Sequence, residues 1–363
     1  MGYVVTDTAL NNNTRKYLKD IIRPGFANAP FVDFAIRLGK MMQVNSAEFQ
    51  QRFVKARESR QTVAIGAAYT AATDNVIAFG GQIFTSQVWP CEFDERQIWG
   101  SQIETLNSMF KEKLDGGIID AAYEISYKML NDATEDGSTY EHPMVSLVAA
   151  LPAATTGTYY GVNRATYTTV QHYYATTSAY GGGAAAVVTD FRDPETGFLA
   201  NLRRAKGQAM QRGANKFVLY CDAVTWNFFG RLFEDQTNIP SANQLAWVPK
   251  EKIFGNGKIA VGSIGFDTYV WEGVLIVNAP GVATNSAYLI PYHAKHGVNV
   301  EWRYNAAASG SKTASMPFYF GKWERIERST TWSCGLWTAS IFFIGDLSVC
   351  AYIVHNGTYD DKL

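Results

Sequence analysis

The strongest pattern in this 363-residue sequence is a run of apolar side chains that recur every three or four residues. That spacing is the period of a single helical face. Ser101 and Glu104 supply a capping box where the run begins, and Asn131-Asp132 supplies a stop. The pattern therefore predicts one helix over residues 101–131, roughly 45 Å long. Its apolar face consists of Ile103, Leu106, Phe110, Leu114, Ile118, Ala122, Ile125 and Met129.

Two adjacent glycines lie near the middle of this predicted helix. Gly116 and Gly117 together cost about 2 kcal/mol relative to alanine in a helix interior. Because the apolar face continues in phase across them, we expect a bend here rather than a break.

The sequence before the long helix predicts an arm followed by a hairpin. Residues 1–30 are polar and turn-rich, with no sustained hydrophobic period, which is typical of an extended arm. Residues 61–69 and 76–88 have the composition of strands and flank the turn-forming run 73–75, so they predict a long β-hairpin. Because an isolated hairpin is only marginally stable in water, this one needs a neighbouring surface.

A second helix is predicted after Asp193, which suits the N-cap, with Pro194 at the first helical position and Gly213 just past the end. A strand over residues 216–221 and a third helix over residues 222–233 follow directly. Helices that alternate with a strand over so short a distance predict a sheet covered by helices. The apolar face of the second helix comprises Phe198, Leu202, Ala205 and Ala209.

The remaining sequence is rich in strands. Residues 330–354 carry almost no charge beyond Asp346 and predict two strands joined near Gly345-Asp346, which must pair with earlier segments. Strands together with the three helices indicate the α+β fold class. Shorter strands are predicted over residues 258–261, 268–271, 274–277, 286–290 and 298–304.

Charge and cysteine content narrow the range of functions. The 32 basic and 33 acidic side chains leave a formal charge of −1, so any contact with nucleic acid is local or weak. No apolar run reaches the roughly 18 residues that a membrane span requires. The four cysteines lack the spacing of a zinc ribbon and are interpreted as buried apolar fillers. The aromatic content of 14% is typical of β-rich cores and of subunit interfaces.

No pattern in the sequence predicts a catalytic centre, a cofactor site or a metal site. The run 309–313 departs from a phosphate-binding loop, which requires glycine where this chain has Ser311. His293 and His296 lie three residues apart, but Pro291 and Gly297 predict a turn between strands around them. We therefore interpret both histidines as structural rather than as metal ligands.

The order of the elements, from arm and hairpin through the long helix to an α+β region and returning strands, resembles the Hong Kong 97-type fold of tailed-phage major capsid proteins. A local likeness supports this resemblance. Residues 142–148, Gly157 and residues 160–167 are similar to the family's G-G-I-D-R-S-x-Y region after its long helix, with Tyr160 replacing the first glycine and Asn163 the aspartate.

The resemblance implies four parts, one of which is built from two segments. In the family, an N-terminal arm and an extended hairpin loop reach over neighbouring subunits, the peripheral domain carries a long spine helix, and the axial domain meets its copies around the local symmetry axis. Carried onto this sequence, the arm is 1–50, the extended loop 51–95, the peripheral domain 96–190 with 305–363, and the axial domain 191–304.

The resemblance also implies a function, namely a major capsid protein rather than an enzyme. Such a protein assembles as pentamers and hexamers into the icosahedral shell around the double-stranded DNA of a tailed phage, which it contacts weakly. It is assembled in the host bacterial cytoplasm and resides in the virion. Implied partners are a portal, a decoration protein and a separate scaffolding protein, since the chain starts directly at the arm.

The candidate assembly contacts are aromatic. No lysine occurs between Ala56 and Phe110, so we expect a shell without the Lys–Asn crosslinks that some family members form at the extended loop. Aromatic side chains in and beside the hairpin, and one in the region 235–260, are the candidates for contacts between subunits. They are Tyr69, Phe79, Phe84, Trp89 and Trp247.

Two alternatives stay open from the sequence. An encapsulin-type compartment has the same shell fold but packages a cargo enzyme in place of a genome. The other alternative is an unrecognised enzyme of the α+β class, which would be found as a monomer or dimer rather than as a particle.

Overall fold

The computed structural model describes residues 29–46, 48–54, 77–94, 103–135, 144–153, 157–167, 170–175, 190–192, 197–237, 268–295, 297–305, 317–327 and 329–359. The predicted strands at 61–69 and 258–261, the cap at Ser101 and the helix start at Asp193 lie outside these ranges. Within them, no helix has the length and apolar content to cross a membrane.

The described chain contains helices and strands interspersed along the sequence. The helices are α1 (Pro30–Arg37), α2 (Ile103–Asn131), α3 (Leu147–Ala150), α4 (Phe198–Gln211) and α5 (Ala223–Thr237). The strands are β1 (Lys40–Val44), β2 (Glu48–Val54), β3 (Ile77–Ile83), β4 (Gln87–Asp94), β5 (Thr158–Tyr159), β6 (Val162–Asn163), β7 (Tyr173–Ala175), β8 (Asn215–Cys221), β9 (Thr268–Trp271), β10 (Val274–Asn278), β11 (Ser286–Ala294), β12 (Gly297–Val298), β13 (Val300–Asn305), β14 (Phe318–Phe320), β15 (Glu324–Arg325), β16 (Thr331–Thr338), β17 (Ser340–Ile344) and β18 (Ala351–Val354).

Helix α2 confirms the predicted long helix. It is continuous through Gly116 and Gly117, so the two glycines do not break it. From residue 114 onward its predicted apolar face is buried in the core, where it packs against strand β4 and helix α1. The buried members of that face are Leu114, Ile118, Ala122, Ile125 and Met129.

The two glycines of α2 differ in their surroundings, which makes them a matched pair. A Cβ atom added at Gly117 would lie 2.9 Å from Sγ of Cys91 on β4, whereas at Gly116 no atom of a packed neighbour lies within 4 Å. We expect Gly116→Ala to raise the free energy of unfolding by up to about 1 kcal/mol, because alanine is the better helix former. Gly117→Ala should lower it by about 1–2 kcal/mol, because the buried thiol must move. Urea unfolding of the two variants measures the contrast, and equal shifts would contradict the close approach.

The largest sheet has the order β7-β18-β11-β8-β10-β9, with β12 paired to β11. Strand β8 and helix α5 confirm the predicted strand and third helix. Helix α4 confirms the second predicted helix and buries its predicted apolar face, but its N-cap is Gly197 rather than the predicted Asp193. It ends before Gly213, whose φ of +81° is a conformation that glycine adopts at little cost.

Strand β11 corrects the prediction around the two histidines. The strand predicted over residues 286–290 extends to Ala294, so His293 lies within a strand rather than in a turn. Pro291 is tolerated because it lies beyond Leu289, the last residue of β11 that is paired with β18, so that side of the strand forms no ladder there. His296 lies outside the described residues.

Helix α1 lies within the region assigned to the arm, and its buried residues belong to the core. The ring of Phe31 contacts Phe342 of β17 at 5.0 Å and Tyr220 of β8 at 5.8 Å between centroids. The backbone N–H of Phe31 donates to Ser126 Oγ of α2 at 3.3 Å. Helix α1 therefore joins the largest sheet, the three-stranded sheet β1-β13-β17 and helix α2.

The predicted strand over residues 76–88 is two strands, and this is a correction. Residues 84–86 separate β3 from β4. Strand β3 pairs antiparallel with β2, a strand that the sequence analysis did not predict, while β4 pairs with β16 along its whole length. The break follows from these distant partners, which local composition does not reveal.

Residues 330–354 form three strands rather than the predicted two. Ala339 separates β16 from β17, and a 3-10 turn at Leu347–Val349 precedes β18. Each strand belongs to a different sheet: β16 lies at the centre of β14-β16-β15 with β4 paired to it, β17 lies in β1-β13-β17, and β18 lies in the largest sheet. The largest sheet thus combines β8–β11 with β7 and β18, which come from segments assigned to the other domain.

Candidate assembly surface

Strands β2 and β3 form a two-stranded ribbon at the base of the predicted extended loop. They run antiparallel, with Glu48 opposite Ile83 and Val54 opposite Ile77, so residues 55–76 connect their far ends. Within the described chain, neither strand pairs with another sheet. Two strands alone are marginally stable in water, so the ribbon depends on what it lies against.

A hydrogen bond from an ion-paired arginine joins this ribbon to strand β13. Arg303 of β13 donates from Nε to Glu301 Oε2 at 2.7 Å and from Nη2 to Gln51 Oε1 of β2 at 3.1 Å. The guanidinium also lies 4.8 Å from the ring centroid of Phe343. Charge-assisted hydrogen bonds of this kind are about twice as strong as neutral ones, so Arg303 is a strong link between the ribbon and strand β13.

The five sequence-predicted assembly residues are spread over the chain. Tyr69 and Trp247 lie outside the described residues, and Phe79 lies in β3, where its side chain is not described. Phe84 and Trp89 are half-buried and pack against the core. The Trp89 indole donates from Nε1 to Glu124 Oε2 of α2 at 2.6 Å, so this side chain already fastens β4 to the long helix. Their role in assembly stays a prediction.

Several exposed apolar side chains were missed by the sequence analysis. In β1, an edge strand of its sheet, Met41 and Met42 are each 38% exposed, and all five residues of the strand are exposed or half-buried. On β4 and beside β15, Val88 is 47% and Ile326 is 41% exposed. The adjacent methionines at 41–42 were a usable signal, since a strand with one buried face shows alternation instead.

A shallow groove lies along β15 and β16. It has a volume of about 400 Å³ and is lined in part by Ile326, Gly335 and Trp337. A Cβ at Gly335 would lie 2.7 Å from Val88 Cγ2, so the exposed Val88 lies against one of the residues that line the groove. Exposed apolar patches of this kind mark surfaces that other proteins cover.

Two thiols lie beneath this surface. Cys91 of β4 and Cys334 of β16 are directly opposite each other in the antiparallel pair, and both are buried and reduced. Burial raises the pKa of Cys334 to about 12, with a smaller contribution from Cys91. Thiols held in the neutral form are poor nucleophiles, which agrees with their prediction as apolar fillers. Among the described residues, no group of three or more His, Cys, Asp or Glu side chains is placed to hold a metal ion.

One buried cluster has the composition of a catalytic triad. Thr225 Oγ1 lies 2.8 Å from Nε2 of His355 and also hydrogen-bonds to Asp222. The Nδ1 of His355 accepts from the N–H of Gly357 at 3.0 Å, so the ring proton resides on Nε2 and points at the threonine. The imidazole therefore has no free lone pair with which to activate Thr225. The cluster caps helix α5, where Asp222 accepts from the N–H groups of residues 224 and 225.

The fold is found in solved structures, although no family model and no curated protein matches the sequence. The capsid asymmetric unit of cyanophage A-1(L) matches with a TM-score of 0.60 at 15% identity, covering 91% of this chain and 93% of that chain. The chain has a Hong Kong 97-like capsid fold. The capsid of an empty GTA particle shares this fold with a TM-score of 0.51 at 11% identity, covering 91% and 90%. An encapsulin from Synechococcus elongatus aligns with a TM-score of 0.49 at 11% identity, covering 91% and 90%.

Proposed function

We propose that this chain is the major capsid protein of a tailed phage, which self-assembles into the icosahedral shell around double-stranded DNA. The observation that carries the proposal is the correspondence to a cyanophage capsid subunit over 91% of this chain, at a TM-score of 0.60. A capsid fold present over nearly the full length of both chains supports a shell-building role more than a catalytic one.

The surface of the chain supports a structural role. The edge strand β1 presents exposed apolar side chains, and Val88 and Ile326 are exposed at and near the groove. Shell subunits need repeated interfaces of this kind, and elements stabilised by neighbours are the usual way to obtain them. The triad-like cluster at His355 is buried and caps helix α5, so it supports the same role.

The domain assignment follows the family, with two changes. We place the extended loop at 51–95, the peripheral domain at 96–190 with 305–363, and the axial domain at 191–304, except that β7 and β18 belong to the sheet of the axial domain. Because α1 packs into the core, we move the boundary between arm and body from residue 50 to about residue 29.

The partners follow from the proposed role. Copies of the chain form pentamers and hexamers, and a portal, a separate scaffolding protein and a decoration protein complete the particle. The formal charge of −1 supports weak contact with the packaged DNA. Assembly takes place in the host cytoplasm, and the product is the virion.

Electron microscopy and light scattering of the expressed chain test the proposal. We expect uniform particles tens of nanometres across, or rings of five and six subunits. A stable monomer or dimer at high concentration would overturn the shell function. Particles from infected cells that protect a protein cargo instead of DNA would favour the encapsulin alternative. On an SDS gel the particles should dissociate to single subunits, since the loop region 56–110 has no lysine for crosslinking.

Replacing Trp247 with alanine should lower the yield of particles more than the yield of soluble subunit. The reason is that a large aromatic side chain at an interface contributes about 2 kcal/mol or more to each contact, and a shell repeats each contact many times. Sedimentation of the soluble fraction separates particles from subunits in one measurement. An unchanged yield of particles would show that Trp247 does not contribute to the assembly surface.

A further inference from the structure

Arg164 is an isolated charge in its part of the sequence. Between residues 145 and 189 it is the only Asp, Glu, Lys or Arg in the sequence. It follows strand β6 and is 0% exposed, one of the largest fully buried side chains of the described chain. A buried charge is normally paired with an opposite one, because removing it from water alone is costly.

The contacts of Arg164 are too few for a guanidinium. Nη2 donates to the carbonyl of Ala149 at 2.9 Å, and Cζ lies 5.7 Å from the ring centroid of Tyr159. Among the described residues, Nε and Nη1 have no hydrogen-bond partner. Burial lowers the pKa of Arg164 to about 10, which still leaves the group charged at neutral pH.

His172 places a buried imidazole beside this charge. It is 4% exposed, and within the described chain neither ring nitrogen has a partner at full hydrogen-bond geometry. Its pKa is lowered to about 3, first by burial and then by the charge of Arg164, and the carbonyl of Pro152, which faces the ring N–H, only partly offsets this. The imidazole is therefore neutral, and its single N–H is directed at Pro152, so the unsatisfied donors of this site are those of the guanidinium.

The neighbouring phenols do not supply the missing negative charge. Burial raises the pKa of Tyr159 and of Tyr160 above that of an ordinary tyrosine, so both stay protonated. The hydroxyl of Tyr160 donates to the carbonyl of Phe342 at 2.7 Å and is thereby committed to β17. What the site has is a fixed positive charge and unsatisfied N–H donors, which together are complementary to an anion.

We propose that Arg164, beside the neutral ring of His172, forms a buried binding site for one compact inorganic anion of the phosphate, sulfate or halide class. The anion accepts hydrogen bonds from Arg164 Nε and Nη1. It neutralises the lone charge of this segment and holds residues 157–167 against strand β17, to which Tyr159 and Tyr160 bind.

Thermal unfolding of the full chain at constant ionic strength tests the site. Sodium gluconate, whose anion is too large for a buried site, is replaced stepwise by chloride, sulfate or phosphate. For at least one of the three, the Tm of the wild type should rise by about 5 °C and then saturate, as expected for an anion bound by the native state alone. Arg164→Met should abolish the saturable rise, whereas Arg204→Met, at an exposed position on α4, should keep it. General salting effects are linear in concentration and common to all three proteins.

Two results would overturn the proposal: no saturable response of the wild type to any of the three anions, or the same response in Arg164→Met. A density map of the assembled particle decides the question even when that variant does not fold. A non-protein anion peak at roughly 3 Å from Nε or Nη1 of Arg164 supports the site. A carboxylate from a neighbouring subunit in that place, or water alone, overturns it.

Discussion

Replacing Phe31 with alanine should destabilise the subunit by about 3–5 kcal/mol, as buried phenylalanines in well-packed cores do. The side chain is 0% exposed and lies between Tyr220 of the largest sheet and Phe342 of the three-stranded sheet. Its loss leaves a cavity where helix α1 joins the two sheets, and neither sheet can move to fill it without losing its own pairing. Urea unfolding of the purified subunit measures the change.

Met42→Ala is the matched control for Phe31→Ala. Met42 lies on β1, close along the chain from α1, but is 38% exposed, so its truncation should change stability by less than about 0.5 kcal/mol. If Phe31→Ala also changed the free energy of unfolding by less than about 1 kcal/mol, α1 would not belong to the packed body. In that case the arm would extend to residue 50, as the sequence analysis proposed.

Acidification should destabilise the subunit through His355. Burial lowers the pKa of His355 to about 4, partly offset by Asp222, whereas an unfolded histidine titrates near 6.5. As the pH falls, the histidine of the unfolded chain is protonated before that of the folded chain, so the free energy of unfolding decreases as the pH decreases. The contribution is complete above pH ~6.5 and disappears as the pH drops through ~4, a loss of about 3 kcal/mol.

His355→Gln isolates this contribution. The variant should be less stable than the wild type at pH 7, because it loses the packing of the ring against Phe191 and Phe198. Its free energy of unfolding should fall less steeply between pH 7 and 4, so the two curves converge in acid. Parallel curves would show that His355 is protonated in the native state or that its ring is exposed.

The long helix was predictable because its evidence is local. Apolar residues follow one another at seven successive intervals of three or four positions, a spacing that only an α-helix places on one face, and α2 is that helix. Helices α4 and α5 carried the same kind of signal in their caps and faces. Helix α1 did not, because eight residues are too few to show a period, and tertiary packing stabilises it.

Strand pairing was the part that local sequence did not reveal. The partner of β3 is β2, and the partner of β4 is β16, more than two hundred residues away. Composition marks a segment as a strand but does not identify the strand it pairs with. The sequence therefore did not predict that residues 84–86 separate β3 from β4, or that the chain passes to another sheet at Ala339. Pro291 was taken as a strand end for the same reason.

The candidate surfaces were only partly predictable. Trp89 was chosen as an interface residue for its size, but its indole binds Glu124 within the subunit. The exposed methionines of β1 were missed because exposure depends on which face the sheet leaves uncovered. Arg164 was noted only as part of a family-like segment, since a missing counter-charge is visible only once burial is known.

The placement of β16, β17 and β18 in three different sheets sets the order of events during synthesis. Each of the three larger sheets lacks a strand until residues 331–354 have left the ribosome. A nascent chain therefore has no finished body on which neighbouring copies can dock, however many ribosomes translate the same message side by side. Contacts between copies that need these finished sheets are therefore disfavoured on the polysome until residues 331–354 have emerged.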